Sequence, residues 1–362
     1  MPLLSGYQTP GTPGNLVDDI RHKGPLMAEP VTIAVDAMSG DAGAEVCVPA
    51  SIEFVRRQPG VRILLVGQRE ILEGLAAAAG GLPPTVEIRD ARQIVMMDEL
   101  PADALRKKKD SSMRVAVNLV KDGSADACVS AGNTGALMAT GHFVLKMLPG
   151  IERPAIMARL PTRHGAIYML DLGANADCTV EQLYQFAIMG SVVARVTEAV
   201  DRPRIGLLNI GEEDMKGNDI VKQAAVRLGA SHLNYVGFVE ADAIQDDRAD
   251  VVVCDGFSGN VALKSMEGTA KLIRHFLEIE FRGSLYGQLA GLVAWPVLRS
   301  LGRRLDPRRY NGASLVGLNG IVIKSHGAAD VLAFQQAISV AEVEAEKRVP
   351  EQIRELMSEQ VE

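Results

Sequence analysis

The chain has 362 residues, 47% of them hydrophobic, enough to bury a large core in one big domain or two lobes. Lys+Arg 38 against Asp+Glu 45 gives a net charge of −7, and aromatics make up only 4%, which argues against a general nucleic-acid binder. Four cysteines without paired spacing read as reduced cytoplasmic thiols, six histidines show no metal-ligand spacing, and no stretch approaches the ~20 apolar residues of a spanning helix.

Residues 1–30 are rich in Gly and Pro, carry no apolar run of signal-peptide length, and are expected to form a disordered extension. A single α/β domain is expected over 31–345, with a helical hairpin at about 281–310 and a helical tail over 346–362. Residues 31–36 are a strand ending in Asp36, followed by Ser39-Gly-Asp. Residues 61–66 are a second strand, followed by a helix over 69–79, and 86–89 a short third strand. Arg106, Lys107, Lys108 and Lys109 form a basic run before a helix reaching Lys121, with Asp110, Ser111 or Ser112 as its cap. That run is either a solvated charged face or a docking patch for an acidic partner or an anion.

The strand 126–130 ends in Ser130-Ala-Gly-Asn-Thr-Gly135 and feeds an apolar helix over 136–148. Residues 154–163 are extended, and 167–171 lead into Leu172-Gly-Ala-Asn-Ala-Asp177. A long helix over 179–200 is capped by Thr179 or Asp177. The strand 204–209 leads into Gly211 to Asn218, then a helix over 219–228, a strand over 235–239 and Glu240. Residues 251–253 are a buried strand, Gly256 and Gly259 allow a tight turn carrying Asp255, Ser258 and Asn260, and Val261 opens a helix. Such a strand, turn and helix places backbone N–H groups where an anion is stabilised.

Five strand ends therefore carry Gly with Asp, Asn, Ser or Thr. Each alone is ordinary α/β punctuation. Together they are expected to line one polar cleft at the carboxyl ends of a largely parallel sheet covered on both faces. Residues 281–310 break the pattern. Leu285, Leu289, Leu292, Val293, Leu298 and Leu301 keep helical spacing, Trp295-Pro296 is expected to interrupt it, and Arg299, Arg303, Arg304, Arg308 and Arg309 add a positive face. An apolar stripe beside clustered arginines fits an interfacial helix on anionic lipid, or a hairpin packed in a dimer interface.

The sequence resembles one family closely. Lys108-Lys-Asp-Ser-Ser-Met113, Ser130-Ala-Gly-Asn-Thr-Gly-Ala-Leu137, Leu170-Asp-Leu-Gly-Ala-Asn175, Gly206-Leu-Leu-Asn-Ile-Gly-Glu-Glu213, Lys216-Gly-Asn218, Val252-Val-Cys-Asp-Gly-Phe257, Gly259-Asn260, Leu318-Asn-Gly320 and Lys324-Ser-His-Gly327 follow the order seen in the bacterial phosphate acyltransferases of phospholipid synthesis. The match runs from about residue 31 to about 338. Ser39 stands where that family usually carries glycine, and Ala42-Gly-Ala-Glu45 replaces its usual continuation. The resemblance implies transfer of an acyl group from acyl carrier protein to inorganic phosphate, giving acyl phosphate. It also implies a Rossmann-like three-layer α/β/α fold akin to phosphate acetyltransferases and the isocitrate dehydrogenase group, with a protruding helical hairpin. A homodimer attached to the inner face of the membrane through the 281–310 segment is implied as well.

Phosphate attack on a thioester needs an anion pocket, an oxyanion donor and positioning of two reactants, with no cofactor and no metal. A triad is not required, and no G-x-S-x-G elbow occurs. Asn133 and Thr134, with Ser130 nearby, are the expected phosphate pocket, helix capping being the alternative for Thr134. Lys216 either reaches the cleft to offset developing charge or is a solvated surface lysine. Asn260 either donates to the thioester oxygen or caps the following helix. Asp36, Asp171 and Asp255 either orient cations or cap turns, and Asn175, Asn209, Asn218 and Ser258 complete the expected substrate-binding set. His326 either assists proton transfer or is structural. Three rivals stand beside this reading: a nucleotide-cofactor oxidoreductase, for which no G-x-G-x-x-G is present, a short-chain phosphate acetyltransferase using acyl-CoA, and a non-catalytic membrane scaffold.

Overall fold

Short β-branched runs with both faces buried become strands in this chain, and the amphipathic stretches between them become covering helices. The structure, a computed structural model, describes residues 30–304 and 306–359, so nearly all of the expected N-terminal extension lies outside the described residues. The first half contains β1 (Val31–Asp36), α1 (Ala44–Arg57), β2 (Val61–Gly67), α2 (Arg69–Ala78), β3 (Val86–Asp90), α3 (Pro101–Lys107), α4 (Ser112–Lys121), β4 (Ala127–Ser130) and α5 (Thr134–Leu145). The second contains β5 (Ala155–Pro161), β6 (Ala166–Leu170), α6 (Val180–Glu198), β7 (Arg204–Leu208), α7 (Asp219–Gly229), β8 (Asn234–Val239), β9 (Val251–Val253), α8 (Gly256–Arg282) and α9 (Leu285–Arg304). The chain then returns through β10 (Ala313–Val316) and β11 (Ile321–Lys324) and ends on α10 (Val331–Glu346) and α11 (Val349–Glu359).

Among the described residues all eleven strands join one sheet, in the order β3-β2-β1-β4-β11-β10-β5-β6-β9-β7-β8. The run 3-2-1-4 is a doubly wound order, and its switch point lies between β1 and β4. Within each half the pairs are parallel. Between the halves, β10 is antiparallel to both β11 and β5, and β5 is antiparallel to β6. Three reversals turn the second half over. The strand ends at Asp36 and Ser130 therefore leave one edge of the sheet, and those at Asp171, Asn209 and Asp255 leave the other. This corrects the expectation of five strand ends around one cleft: the inversion depends on pairings between distant segments that no local run of sequence reveals.

Residue alternation along the strands divides the core. Ala34, Cys128, Val322, Met169 and Val252 point to one face, which continues across both halves and is covered by α4, α5 and the first turns of α8. The opposite face carries Ile33, Val129 and Ile323 under α1 and α10 in the first half. In the second half it carries Leu170, Val251 and Leu207 under α6 and α11. The result is a three-layer α/β/α arrangement. The C-terminal helix is part of it, since Val349, Ile353 and Met357 are buried.

The hairpin is longer than its expected span. Its first arm is all of α8, 27 residues, and its second is α9. Pro296 lies inside α9 without interrupting it, so the expected break at Trp295-Pro296 is corrected. No residue of α9 is buried, and the hairpin protrudes. It is seated at its base by glycine: a Cβ on Gly259 would stand 1.9 Å from the Asp171 carbonyl oxygen and 2.7 Å from Cys254 Sγ. Gly259→Ala is therefore expected to cost at least about 3 kcal/mol in urea unfolding, or to prevent folding. Gly268→Ala, in open space on the same helix, is expected to stabilise by up to ~1 kcal/mol. Equal effects at the two positions would refute the close seating of α8.

Candidate functional site

Three neighbouring parallel strands end on one row. Asp36 of β1 and Lys324 of β11 are both register partners of Ser130 on β4 between them. Register partners point to the same face, here the face covered by α5 and α8. The Ser130 hydroxyl donates to Asp36 Oδ2 at 2.7 Å and accepts from the Gly132 amide at 3.1 Å. The Ser39 hydroxyl donates to the Asp36 carbonyl and accepts from the Ala131 amide, tying the loop after β1 to the turn after β4. Burial raises the Asp36 carboxyl above its usual range, against the pull of the Ser112, Ser130 and Ser39 hydroxyls.

Lys324 brings a cation to this row. Its ammonium donates to the carbonyls of Ala131, at 3.3 Å, and Ser325. Desolvation lowers it to about 8, and Asp36 and Asp41 pull the other way. Next to it, His326 accepts from the Ala328 amide through Nδ1 at 3.1 Å, so the proton of the neutral ring sits on Nε2 and is available to donate. His326 is exposed, and partial desolvation of its ring, then Lys264 and Lys324, lower it, which keeps the neutral ring dominant near pH 7.

Lys264 reaches the row from the far half of the sheet. α8 leaves the carboxyl end of β9 and runs back over the shared face, carrying residue 264 about 12 Å from its start. Asn260, exposed on the first turn, lies over Gly173, and Lys264 is one turn further on the same side of the helix. Asp41, Lys264, Lys324 and His326 thus form one electrostatic group with Asp36. Lys264 and Lys324 carried no role in the sequence reading. Lys324 ends a four-residue strand that was not recognised, and Lys264 had only its i+4 spacing from Asn260 as a signal.

The turn after β4 is built by side-chain capping. Asn133 Oδ1 accepts from the Ala136 amide as the cap of α5, while its Nδ2 donates to the carbonyls of Met97, at 2.8 Å, and Glu99, at 3.0 Å. The side chain expected to hold phosphate is thus engaged in holding the turn. Thr134 and Gly135 follow on the first turn of α5, where no helical carbonyl reaches their N–H groups. The chemistry offered at the switch point is a half-buried cation, first-turn amides and a neutral imidazole donor, a set suited to a compact anion.

The other expected residues lie with the second half. The buried Asp171 carboxylate accepts from the amides of Ile156, Gly173, Ala174 and Asn175 and from Asn175 Nδ2, so it organises its loop. Asp255 caps α8 by accepting from the Ser258 amide and hydroxyl. Asn218 caps α7, and Asn209 Nδ2 donates to the carbonyls of Gly211 and Lys216. Lys216 is exposed in that loop. Six strand spacings of about 4.8 Å separate β4 from β7, roughly 30 Å of sheet. The structure therefore groups Asp36, Ser130, Asn133, Thr134 and His326, places Asn260 over Gly173, one turn before Lys264 on α8, and leaves Lys216, Asn209 and Asn218 apart.

The basic run is divided too. Lys108 turns inward to Glu99 and the Ile94 carbonyl, both at 2.5 Å, while Arg106, Lys107 and Lys109 are exposed. On the hairpin, Leu289, Leu292 and Trp295 are 65%, 74% and 61% exposed, and Arg303 and Arg304 are exposed at the end of α9. Among the described residues, no helix is long and apolar enough to cross a membrane.

The profile of a family described as "Fatty acid synthesis protein" matches residues 31–352. A protein named phosphate acyltransferase from Alkalilimnicola ehrlichii is 58% identical over 328 residues, covering 90% of this chain and 96% of that protein. A protein of the same name from Nitrosococcus oceani is 56% identical, covering 89% and 95%. Among solved structures, a phosphotransacetylase from Streptococcus pyogenes superposes with a TM-score of 0.61 at 18% identity, covering 91% of this chain and 96% of that one, a likeness of fold. With its profile spanning most of the sequence and relatives this similar, the chain belongs to the fatty acid synthesis protein family.

Proposed function

We propose that this protein is an acyltransferase that moves a fatty acyl group from a thioester to inorganic phosphate, releasing a thiol and acyl phosphate for phospholipid synthesis. The observation that carries this reading is the Asp36–Ser130–Lys324 row beneath the first turn of α5. Phosphate binds against Lys324 and the amides of Thr134 and Gly135. One of its oxygens attacks the acyl carbon, a C–O bond forms, and the C–S electron pair leaves with the thiolate. The proton that phosphate loses on acylation goes to the departing sulfur or to solvent. Phosphate is already anionic near neutrality and a thiolate leaves readily, so preorganised donors account for most of the catalysis. His326 Nε2–H and Lys264 stand on the side from which the carbonyl oxygen or the sulfur would be served, and Asn260 is one turn before Lys264 on α8. Asp36 and Ser130 position the turn, as Asp171, Asn175, Asp255 and Ser258 position the start of α8.

The acyl donor in this reading is acyl carrier protein, an acidic partner met by Arg106, Lys107 and Lys109. The protruding hairpin supports peripheral attachment of a cytoplasmic homodimer to anionic membrane, its exposed apolar side chains entering the interface beside Arg303 and Arg304. Lys216, on a separate loop, is a peripheral cation in this scheme.

The deciding assay is release of free carrier thiol from a long-chain acyl carrier protein with and without phosphate. Release is expected only with phosphate, and at least tenfold faster than from the matching acyl-CoA at equal concentration. Phosphate-independent release refutes the reaction, and preference for a short-chain CoA donor replaces it by the acetyltransferase alternative. Lys324 gives a second test. Its folded pKa of about 8 lies below the 10.5 of a free lysine. Below pH 8 it is charged in both states, and the fold bears the desolvation cost. Between about 8 and 10.5 only the unfolded chain keeps the proton, so this contribution to stability rises with pH across that window. Lys324→Met should therefore raise stability at pH 6–7 by on the order of 3 kcal/mol, a gain that vanishes towards pH 10.5. It should also lower kcat/KM for phosphate by at least ~100-fold. In the wild type that quantity should fall about tenfold per unit above pH 8. A pH-independent stability difference would refute the desolvation of Lys324. Finally, replacing Leu289, Leu292 and Trp295 together by Glu should abolish sedimentation with anionic liposomes, and retained sedimentation would remove the membrane role.

A further inference from the structure

A hollow of about 420 Å³ opens beside the switch point. It lies between the loop after β1, the first turn of α1, α2 and the segment leading to α3. Its apolar walls are Met38, Ile71, Leu75, Val95, Met96 and Met97. Ile71, Met96 and Met97 keep 44%, 58% and 45% of their surface exposed, an unusual amount for large apolar side chains gathered at one opening. The ionisable residues in the lining are Asp41 and Glu45, both acidic, so the hollow is unsuited to phosphate or any other anion.

The hollow shares its inner wall with the row described above. The Asp41 amide donates to the Gly327 carbonyl at 2.9 Å. A Cβ on Gly40 would meet Ala131 Cβ at 2.9 Å and Gly327 O at 3.0 Å, and one on Gly327 would meet Met97 Cε at 3.1 Å. Only glycine lets these three segments close up. The segment 94–99 is pinned from two directions, by Lys108 at Ile94 O and Glu99 and by Asn133 Nδ2 at Met97 O and Glu99 O. The residue that caps the anion-binding turn therefore also fixes the apolar wall.

We propose that this hollow takes the fatty acyl tail of the thioester donor, a proposal that rests on the acyl-transfer reading and adds the route of the chain. The space falls within the ~300–1,000 Å³ of small-molecule pockets, a size suited to an extended hydrocarbon chain. Continuity with Ala131, His326 and Gly327 puts the head of such a chain at the amides and cations while the tail leaves them. Three methionines give a wall that adapts to chains of different length. Each methylene buried there strengthens the encounter about fourfold.

The test is kcat/KM for acyl carrier proteins bearing C8, C12 and C16 chains, on the wild type, Leu75→Trp and Met97→Trp. The wild type is expected to gain steadily from C8 to C16. Each indole fills part of the hollow, so the C16-to-C8 ratio should fall at least thirtyfold in both variants. Should Leu75→Trp fail to fold, Ile71→Trp at the exposed rim makes the same test. An unchanged ratio in variants that turn over, or a wild type indifferent to chain length, overturns the hollow alone. Absence of phosphate-dependent thiol release by the wild type with every donor overturns the transfer reading and this proposal with it.

Discussion

A half-buried lysine ammonium at the end of a sheet strand is the constraint on which the proposed chemistry depends. Lys324 receives two backbone carbonyls, and the carboxylates of Asp36 and Asp41 act on it from nearby. Desolvation still prevails and lowers its pKa, while the same burial raises that of Asp36. Both groups are thus biased toward their neutral forms, which means neither fully satisfies the other. Ser130 explains part of this, because its hydroxyl occupies Asp36 Oδ2 and leaves the carboxylate facing the turn. In the proposed reaction, phosphate bound against Lys324 would add negative charge beside it and raise its proton affinity. Binding and protonation are therefore coupled at one side chain.

The position of that lysine follows from topology. β11 is laid down late in the chain, after the hairpin, yet it is inserted beside β4 with Lys324 abreast of Ser130. The long excursion through the second half brings back a cation that the first half does not possess at its switch point. The same excursion returns α8 over the shared face, so Lys264 approaches from above what Lys324 approaches within the sheet. Because α8 is a continuous helix of 27 residues, roughly 40 Å long, its two ends are mechanically related. Its first two turns lie on the Asp171 loop and near the row, and its last turns carry exposed Ile273, Phe276 and Ile279 into the hairpin.

What was legible in the sequence is what local pattern determines. Val31 to Asp36 and the buried run 251–253 have both the β-branched composition and the polar punctuation that make strand ends recognisable, and both are strands. Caps were legible in part: Thr179, Ser111 and Asp255, each readable as a cap, accept from amides at the starts of helices, whereas Asn133 and Asn218, expected to bind substrate, turn out to do the same. Non-local pairing was not legible. β10 and β11 are four residues each, separated by Gly317-Leu-Asn-Gly320, and nothing in so short a run reveals whether it pairs parallel or antiparallel, or with which strand. Hence the inversion of the second half was invisible, and with it the separation of Lys216 from Asn133. Lys108 illustrates the same limit at one residue. In a run of four cations it is indistinguishable from its neighbours, and only the fold turns it onto Glu99.

That inward turn matters for how the site divides its substrate. An acyl thioester meeting phosphate presents a charged nucleophile, a polar carbonyl and a long apolar tail within a few ångströms, and no single pocket satisfies all three. Here the cations lie on the β11 and α8 side of the turn after β4, while the exposed apolar side chains and two carboxylates lie on the side of β1 and α2. Asn133 stands at the boundary, with Oδ1 on the helix start and Nδ2 on the wall segment. An alanine there would leave the Ala136 amide and the Met97 and Glu99 carbonyls without that partner, loosening the anion turn and the apolar wall together. One amide side chain thus holds the turn after β4 and the apolar wall in register.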